Sequence, residues 1–143
     1  MLLGEYQHSI DEKGRMAVPA KFRKILSKGV VVTKGPDSCL YLYPMEEWGK
    51  LAEKIAHLPL GQADSRAFSR VMLAGASPAE IDAQGRILIP DYLREYAGIK
   101  SKAVVVGLYT RAEIWDEAKW QKYRTNVEAK TDEIAERLGE LGI

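Results

Sequence analysis

Ile10-Asp11-Glu12-Lys13-Gly14-Arg15-Met16-Ala17-Val18-Pro19-Ala20-Lys21-Phe22-Arg23 returns, in register, as Ile81-Asp82-Ala83-Gln84-Gly85-Arg86-Ile87-Leu88-Ile89-Pro90-Asp91-Tyr92-Leu93-Arg94. Six positions of the two stretches are identical and several others keep their apolar character. With one inserted residue the match continues, pairing Val32-Thr33-Lys34-Gly35 with Val104-Val105-Val106-Gly107, Leu42-Tyr43 with Ile114-Trp115, and Trp48 with Trp120. Similarity at a fixed offset marks a structural unit used twice, so the chain reads as two copies of one half.

Within a half, Asp-x-x-Gly between two short β-prone stretches reads as a hairpin loop, because Asp favours the turn start and Gly supplies a positive φ. Arg15-Met16-Ala17-Val18 then leads into Pro19, which suits the first turn of a helix. Phe22, Ile25 and Leu26 follow at the spacing of a buried stripe, and Gly29 ends the helix. Val30-Val31-Val32-Thr33 and Cys39-Leu40-Tyr41-Leu42-Tyr43, joined by Gly35-Pro36-Asp37-Ser38, read as a second hairpin. The second copy repeats this order, with Leu93, Tyr96 and Ala97 as the helix stripe, Gly98 as its stop and Val104-Val105-Val106 as a strand.

Each half ends in a more acidic helix, one from about Met45 to His57 and one from about Glu117 towards Leu141. In the latter, Trp120, Tyr123, Val127, Ile134, Leu138 and Leu141 fall near heptad spacing, as a stripe facing the core or, second, an intersubunit seam. Leu58-Pro59-Leu60-Gly61 breaks the chain between the halves, and Asp64-Ser65 can cap a helix through Leu73. The expected organisation is a first half over 1–60, a connecting helical segment over 61–75, and a second half with its C-terminal helix over 76–143. A half of this size buries too little surface to offset its ordering entropy alone, so the two are expected to share one core.

The chain is 46% hydrophobic and 29% charged, which suits a globular protein rather than a disordered one. No apolar run approaches the ~20 residues of a membrane span, so no membrane partner is expected and the reading is cytoplasmic. Cys39 is the single cysteine, which excludes an internal disulfide and a cysteine zinc cluster and leaves a small buried hydrophobe. His8 and His57 have no partners at metal-ligand spacing, and neither a nucleophile elbow nor a phosphate loop is present. No catalytic site, cofactor or metal is therefore expected. Net charge is +1, but it is unevenly spread: residues 1–35 carry seven bases against three acids, and residues 108–143 carry six bases against eight acids. One basic face and one acidic end follow.

The two motifs Asp11-Glu12-Lys13-Gly14-Arg15 and Asp82-Ala83-Gln84-Gly85-Arg86, each followed by its proline, resemble the paired signatures of the MraZ family; Glu113-Ile114-Trp115-Asp116 is also similar to that family's pattern. The resemblance covers nearly the whole chain. It implies a fold of the AbrB and SpoVT group: an α+β tandem repeat with pseudo-twofold symmetry, each half strand-strand-helix-strand-strand, forming a shared swapped-hairpin β-barrel with additional helices after each half. It also implies a ring-like homo-oligomer, nucleoid association, and regulation of the bacterial division and cell-wall gene cluster through short guanine-rich direct repeats in promoter DNA. Departures from the pattern are Ala83-Gln84 where the first loop has Glu12-Lys13, Tyr92 in place of Lys21, and Leu2-Leu3 where an aromatic is usual.

The residues fit that partner. Arginine's planar fork grips a phosphate, or guanine O6 and N7, with two bonds at once, which makes Arg15 and Arg86 the candidate DNA readers. Asp11 and Asp82, with Gly14 and Gly85, orient the loops, and each carboxylate can hold its arginine in one rotamer before DNA arrives. Lys13, Lys21 and Arg23, with Lys24, are candidates for sequence-independent phosphate contacts. Trp48, Trp115 and Trp120 are read as packing residues. The alternatives are an oligomeric protein-interaction scaffold and an antitoxin-like DNA binder of the AbrB fold. Retention on DNA that falls with salt separates the scaffold from either DNA binder.

Overall fold

The computed structural model describes residues 1–142; Ile143, the end of the expected second half, lies outside them. The strands are β1 (Leu2–Ser9), β2 (Arg15–Ala17), β3 (Val30–Gly35), β4 (Cys39–Pro44), β5 (Ser77–Ala79), β6 (Arg86–Leu88), β7 (Lys102–Tyr109) and β8 (Ala112–Asp116). The α-helices are α1 (Met45–Ala56), α2 (Ala63–Ser69), α3 (Asp91–Ala97), α4 (Glu117–Glu128) and α5 (Thr131–Arg137). The fold is thus α+β, with an antiparallel six-stranded sheet in the order β1-β7-β8-β4-β3-β5 and a separate two-stranded ribbon of β2 with β6.

That order is symmetric about the β8–β4 pair, where Leu40 faces Ile114 and Leu42 faces Ala112. On each side an outer strand comes from the other half of the chain. β1 pairs β7 along its whole length, from Leu2 opposite Tyr109 to Ser9 opposite Lys102. β5 pairs β3, from Val30 opposite Ala79 to Val32 opposite Ser77. The exchange merges the interiors: Leu2, Met16, Val18, Phe22, Leu26, Val30, Val32, Leu40 and Leu42 form one buried cluster with Ile87, Ile89, Leu93, Ala97, Ile99, Ala103, Val105, Ala112 and Ile114. Burying one Leu, Phe or Ile in such a cluster contributes about 1.5–3 kcal/mol.

The valine runs lack the alternation of a one-sided strand because both faces of the sheet are covered. Val105 belongs to the shared core, while Val104 and Val106 face a second cluster with Cys39 and Trp115. Trp120 and Tyr123 of α4 cover Trp115, with ring centroids 5.3 and 5.0 Å away. Trp48 of α1 packs on Tyr43 in the same way at 5.9 Å. Cys39 is 1% exposed, and burial pushes its thiol up to about 12, which makes it an inert core residue.

The structure departs from expectation at four places. The ladders do not close into a barrel among the described residues: the sheet ends at β1 and at β5, and β2 meets the segment after β1 in a single isolated bridge, Ile10 with Met16. Pro78 in β5 has no N–H to offer a further strand. Second, the helix after Pro19 is only a 3-10 turn, Ala20–Phe22; Phe22 and Leu26 are buried but Ile25 is 38% exposed. Third, the helix after Gly61 starts at Ala63 with Gln62 as its cap, neither Asp64 nor Ser65 capping it, and passes into a π turn over Arg70–Ala74. Fourth, the helix from Glu117 breaks after Glu128. There the Thr131 hydroxyl donates to the carbonyls of Glu128 and Val127, 2.9 and 3.3 Å away, competing with backbone donors. No residue of α4 or α5 is fully buried, so the heptad-like stripe packs on the sheet only at its start.

Strand exchange makes each half depend on the other. Residues 1–60 expressed alone lose β7, the strand that pairs with β1, and are expected to show no cooperative thermal transition by calorimetry. A sharp two-state melt of that fragment would contradict a shared core.

Candidate nucleic-acid interface

Both Asp-x-x-Gly-Arg segments fold into the same clamp. Asp11 Oδ1 accepts from the backbone N–H groups of Lys13 (3.0 Å) and Arg15 (2.9 Å), and its Oδ2 accepts from Arg15 Nε at 2.7 Å. Asp82 repeats the pattern with Gln84 N–H and Arg86 N–H, both at 2.9 Å, and with Arg86 Nε at 3.2 Å. Gly14 and Gly85 close the turns at φ +87° and +77°, each donating its N–H to the carbonyl of the turn's aspartate. Because the aspartates engage Nε, the outer Nη groups of both arginines stay without a partner among the described residues.

The turns lead directly into β2 and β6, whose register sets Arg15 opposite Leu88, Met16 opposite Ile87 and Ala17 opposite Arg86. Strand alternation then divides the ribbon into two faces. Met16 and Ile87, each 1% exposed, enter the shared core. Arg15, Ala17, Arg86 and Leu88 lie on the outer face. Two crossed backbone bonds lock the turns together: Ile89 N–H donates to Gly14 O at 2.8 Å, and Val18 N–H donates to Gly85 O at 2.9 Å.

A second pair of arginines supports the turns from below. Arg23 Nε donates to Val18 O at 3.2 Å and Arg94 Nε to Ile89 O at 3.0 Å. Each lies against the glycine of the opposite turn. A Cβ at Gly85 would sit 2.6 Å from Arg23 Cζ, and one at Gly14 would sit 3.0 Å from Arg94 Nε and 2.6 Å from Ile89 O. Arg23 therefore has a structural role beside its candidate DNA role, and it remains exposed. Sequence reasoning missed Arg94 and Leu88. The signal for Arg94 was available, since Arg23 and Arg94 are among the identical positions of the repeat.

Lys13 and Lys21 are exposed, as phosphate contacts require. Tyr92, the repeat counterpart of Lys21, turns to packing instead: its hydroxyl donates to Gly75 O at 2.9 Å, and Lys34 Nζ lies 5.9 Å from its ring centroid. The backbone N–H of Arg15, followed by that residue's side chain, holds the Asp11 carboxyl below the usual carboxylate range, and Arg86 does the same for Asp82. Both aspartates thus favour the ionised form that keeps the clamps shut. Among the described residues no group of three His, Cys, Asp or Glu side chains could hold a metal ion, and no helix is long and apolar enough to cross a membrane.

The site and fold define a two-repeat protein whose paired turns present clamped arginines from one ribbon. A family model described as "MraZ protein, putative antitoxin-like" matches it twice, over residues 1–71 and 72–140. The chain belongs to the MraZ family. Its relatives include the "Transcriptional regulator MraZ" of Thermoanaerobacter sp., 50% identical, and that of Natranaerobius thermophilus, 48% identical, each alignment covering 100% of both chains. The solution structure of PHS018 from Pyrococcus horikoshii overlays with a TM-score of 0.34 at 18% identity, covering 80% of this chain and 88% of that one, too loosely to bear on the fold.

Two outcomes follow from the clamps. Gly14→Ala and Gly85→Ala each place a side chain at positive φ, at a cost of about 1–2 kcal/mol. Gly14→Ala is expected to lower the urea midpoint further, because its new Cβ meets a backbone carbonyl where Gly85→Ala meets a movable side chain. Equal midpoints would disprove the difference in support. The second concerns pH. A lowered carboxylate pKa contributes stability that is present above the ordinary carboxylate range and is lost as pH falls through the lowered value. The amide resonances of Arg15 and Arg86 should therefore shift with midpoints below that range, whereas midpoints at the ordinary value would mean that the clamps are absent in solution.

Proposed function

We propose that this chain is a sequence-specific DNA-binding transcriptional regulator that sets the outer face of the β2–β6 ribbon into the major groove. The observation that carries the reading is the pair of clamped arginine forks on the solvent face of a ribbon whose other face is core. The major groove, about 12 Å wide, admits a two-stranded ribbon, and a bidentate arginine on guanine O6 and N7 is the commonest specific contact made there. Arg15 and Arg86 read guanine; Lys13, Lys21 and Arg23 meet phosphates; Asp11, Asp82, Gly14 and Gly85 keep the forks in place beforehand. Pre-ordering matters, because an arginine immobilised only on binding would lose about 0.5–1.5 kcal/mol of side-chain entropy.

The name borne by the relatives supports a role in transcription. The family resemblance supports the finer reading: an autorepressor of the bacterial division and cell-wall gene cluster that binds guanine-rich direct repeats in its own promoter, in the cytoplasm and at the nucleoid. It acts there as a homo-oligomeric ring, which engages several repeats at once. Exposed apolar side chains support self-association. Leu3 and Leu108 are cross-strand neighbours 52% and 40% exposed, and Tyr109 beside them is 61% exposed.

Arg15→Ala should cost about 1–3 kcal/mol of base discrimination. Lys21→Ala should weaken all duplexes alike and reduce the salt slope by about one unit. Fluorescence anisotropy on the DNA upstream of the protein's own gene, across a salt series, reads both, with light scattering to check that the variants keep the assembled mass. A folded Arg15→Ala protein with unchanged affinity and sequence preference would overturn the reading.

A further inference from the structure

Leu88 is 53% exposed between two fully buried neighbours, Ile87 at 1% and Ile89 at 0%, and it belongs to neither apolar cluster. Single exposed leucines are ordinary on protein surfaces. Leu88 differs by its place: it is the direct cross-strand partner of Arg15, on the same face as Arg86. We propose that Leu88 determines specificity by packing on the C5-methyl group of a thymine beside the guanine read by Arg15. This rests on the ribbon being the element that enters the major groove.

Directly opposed side chains have Cβ atoms about 4.5–5.5 Å apart, and successive base pairs are about 3.4 Å apart along the duplex. A leucine opposite an arginine whose fork lies on one guanine therefore stands over the adjacent base pair. The apolar group on the major-groove edge of an A·T pair is the thymine methyl, so an apolar side chain there selects thymine. The repeat breaks at this point. Ala17, opposite Arg86, holds the position in the first half that Leu88 holds in the second. Alanine is too short to reach the depth that leucine reaches. One end of the ribbon thus reads guanine with thymine and the other reads guanine alone, which gives a pseudo-symmetric element a direction along the DNA.

The test uses the full chain and its Leu88→Ala variant. The probe is a duplex that the wild-type protein selects from a random-sequence pool, resynthesised with deoxyuridine at each thymine in turn, so that only the methyl group is removed. The wild type should bind about fourfold more weakly at one thymine next to a required guanine, as expected for one buried methyl. Leu88→Ala should bind both forms equally while keeping its guanine requirement and its salt slope. A Leu88→Ala variant that keeps the penalty overturns the proposal. So does a wild type that is indifferent to every deoxyuridine, or that selects no thymine, while guanine substitution still costs it binding; in both cases the DNA-reading function stands. A wild type that retains no duplex from the pool removes this proposal and the proposed function together.

Discussion

Two backbone hydrogen bonds, from Ile89 N–H to Gly14 O and from Val18 N–H to Gly85 O, hold the architecture in its arrangement. Each ties the turn of one half to the residue that precedes the proline of the other. Both glycines are buried, so these polar groups have no water to replace a lost partner, and leaving one unsatisfied costs about 1–3 kcal/mol. Everything at the outer face depends on them: with the turns fixed, β2 and β6 pair in a register that sends Met16 and Ile87 inward and both arginines outward. A slip by one residue would bury the arginines and expose the core pair.

The halves share this frame but use it unequally. The first turn is followed by a 3-10 turn with an exposed lysine, and the second by α3, whose partly exposed tyrosines anchor their hydroxyls on the fold. Tyr92 and Tyr96 donate to the carbonyls of Gly75 and Gly35, and Lys34 lies over both rings. The basic excess of the first thirty-five residues is not confined to its own turn, since exposed Arg23 lies against Gly85 of the second turn.

Much of this was legible in the residues, for identifiable reasons. The Asp-x-x-Gly-Arg turns are local: every atom of the clamp lies within five residues, so sequence spacing alone predicts it. Helix α3, the Gly98 stop with its left-handed backbone, and the β3–β4 hairpin are equally local. What sequence missed was set by distant contacts. The 3-10 turn after Pro19 has the same apolar spacing as a helix, and only packing shows that Ile25 is left partly exposed. Arg23 and Arg94 look like solvated charges until the opposite glycine is seen against each. The end of the stripe in α4 was hidden because periodicity reports a repeating face and not whether anything lies beneath it. The roles of the arginines and lysines toward DNA belong to a partner, and neither the chain's periodicity nor its packing contains one.

The pairing of β1 with β7 also bears on how the molecule is made. Leu2 is synthesised well before its neighbour in the sheet, Tyr109, so β1 emerges before the strand it joins has been made. During that interval an unpaired strand edge is available to other chains. Contacts this far apart along a chain also favour slow folding.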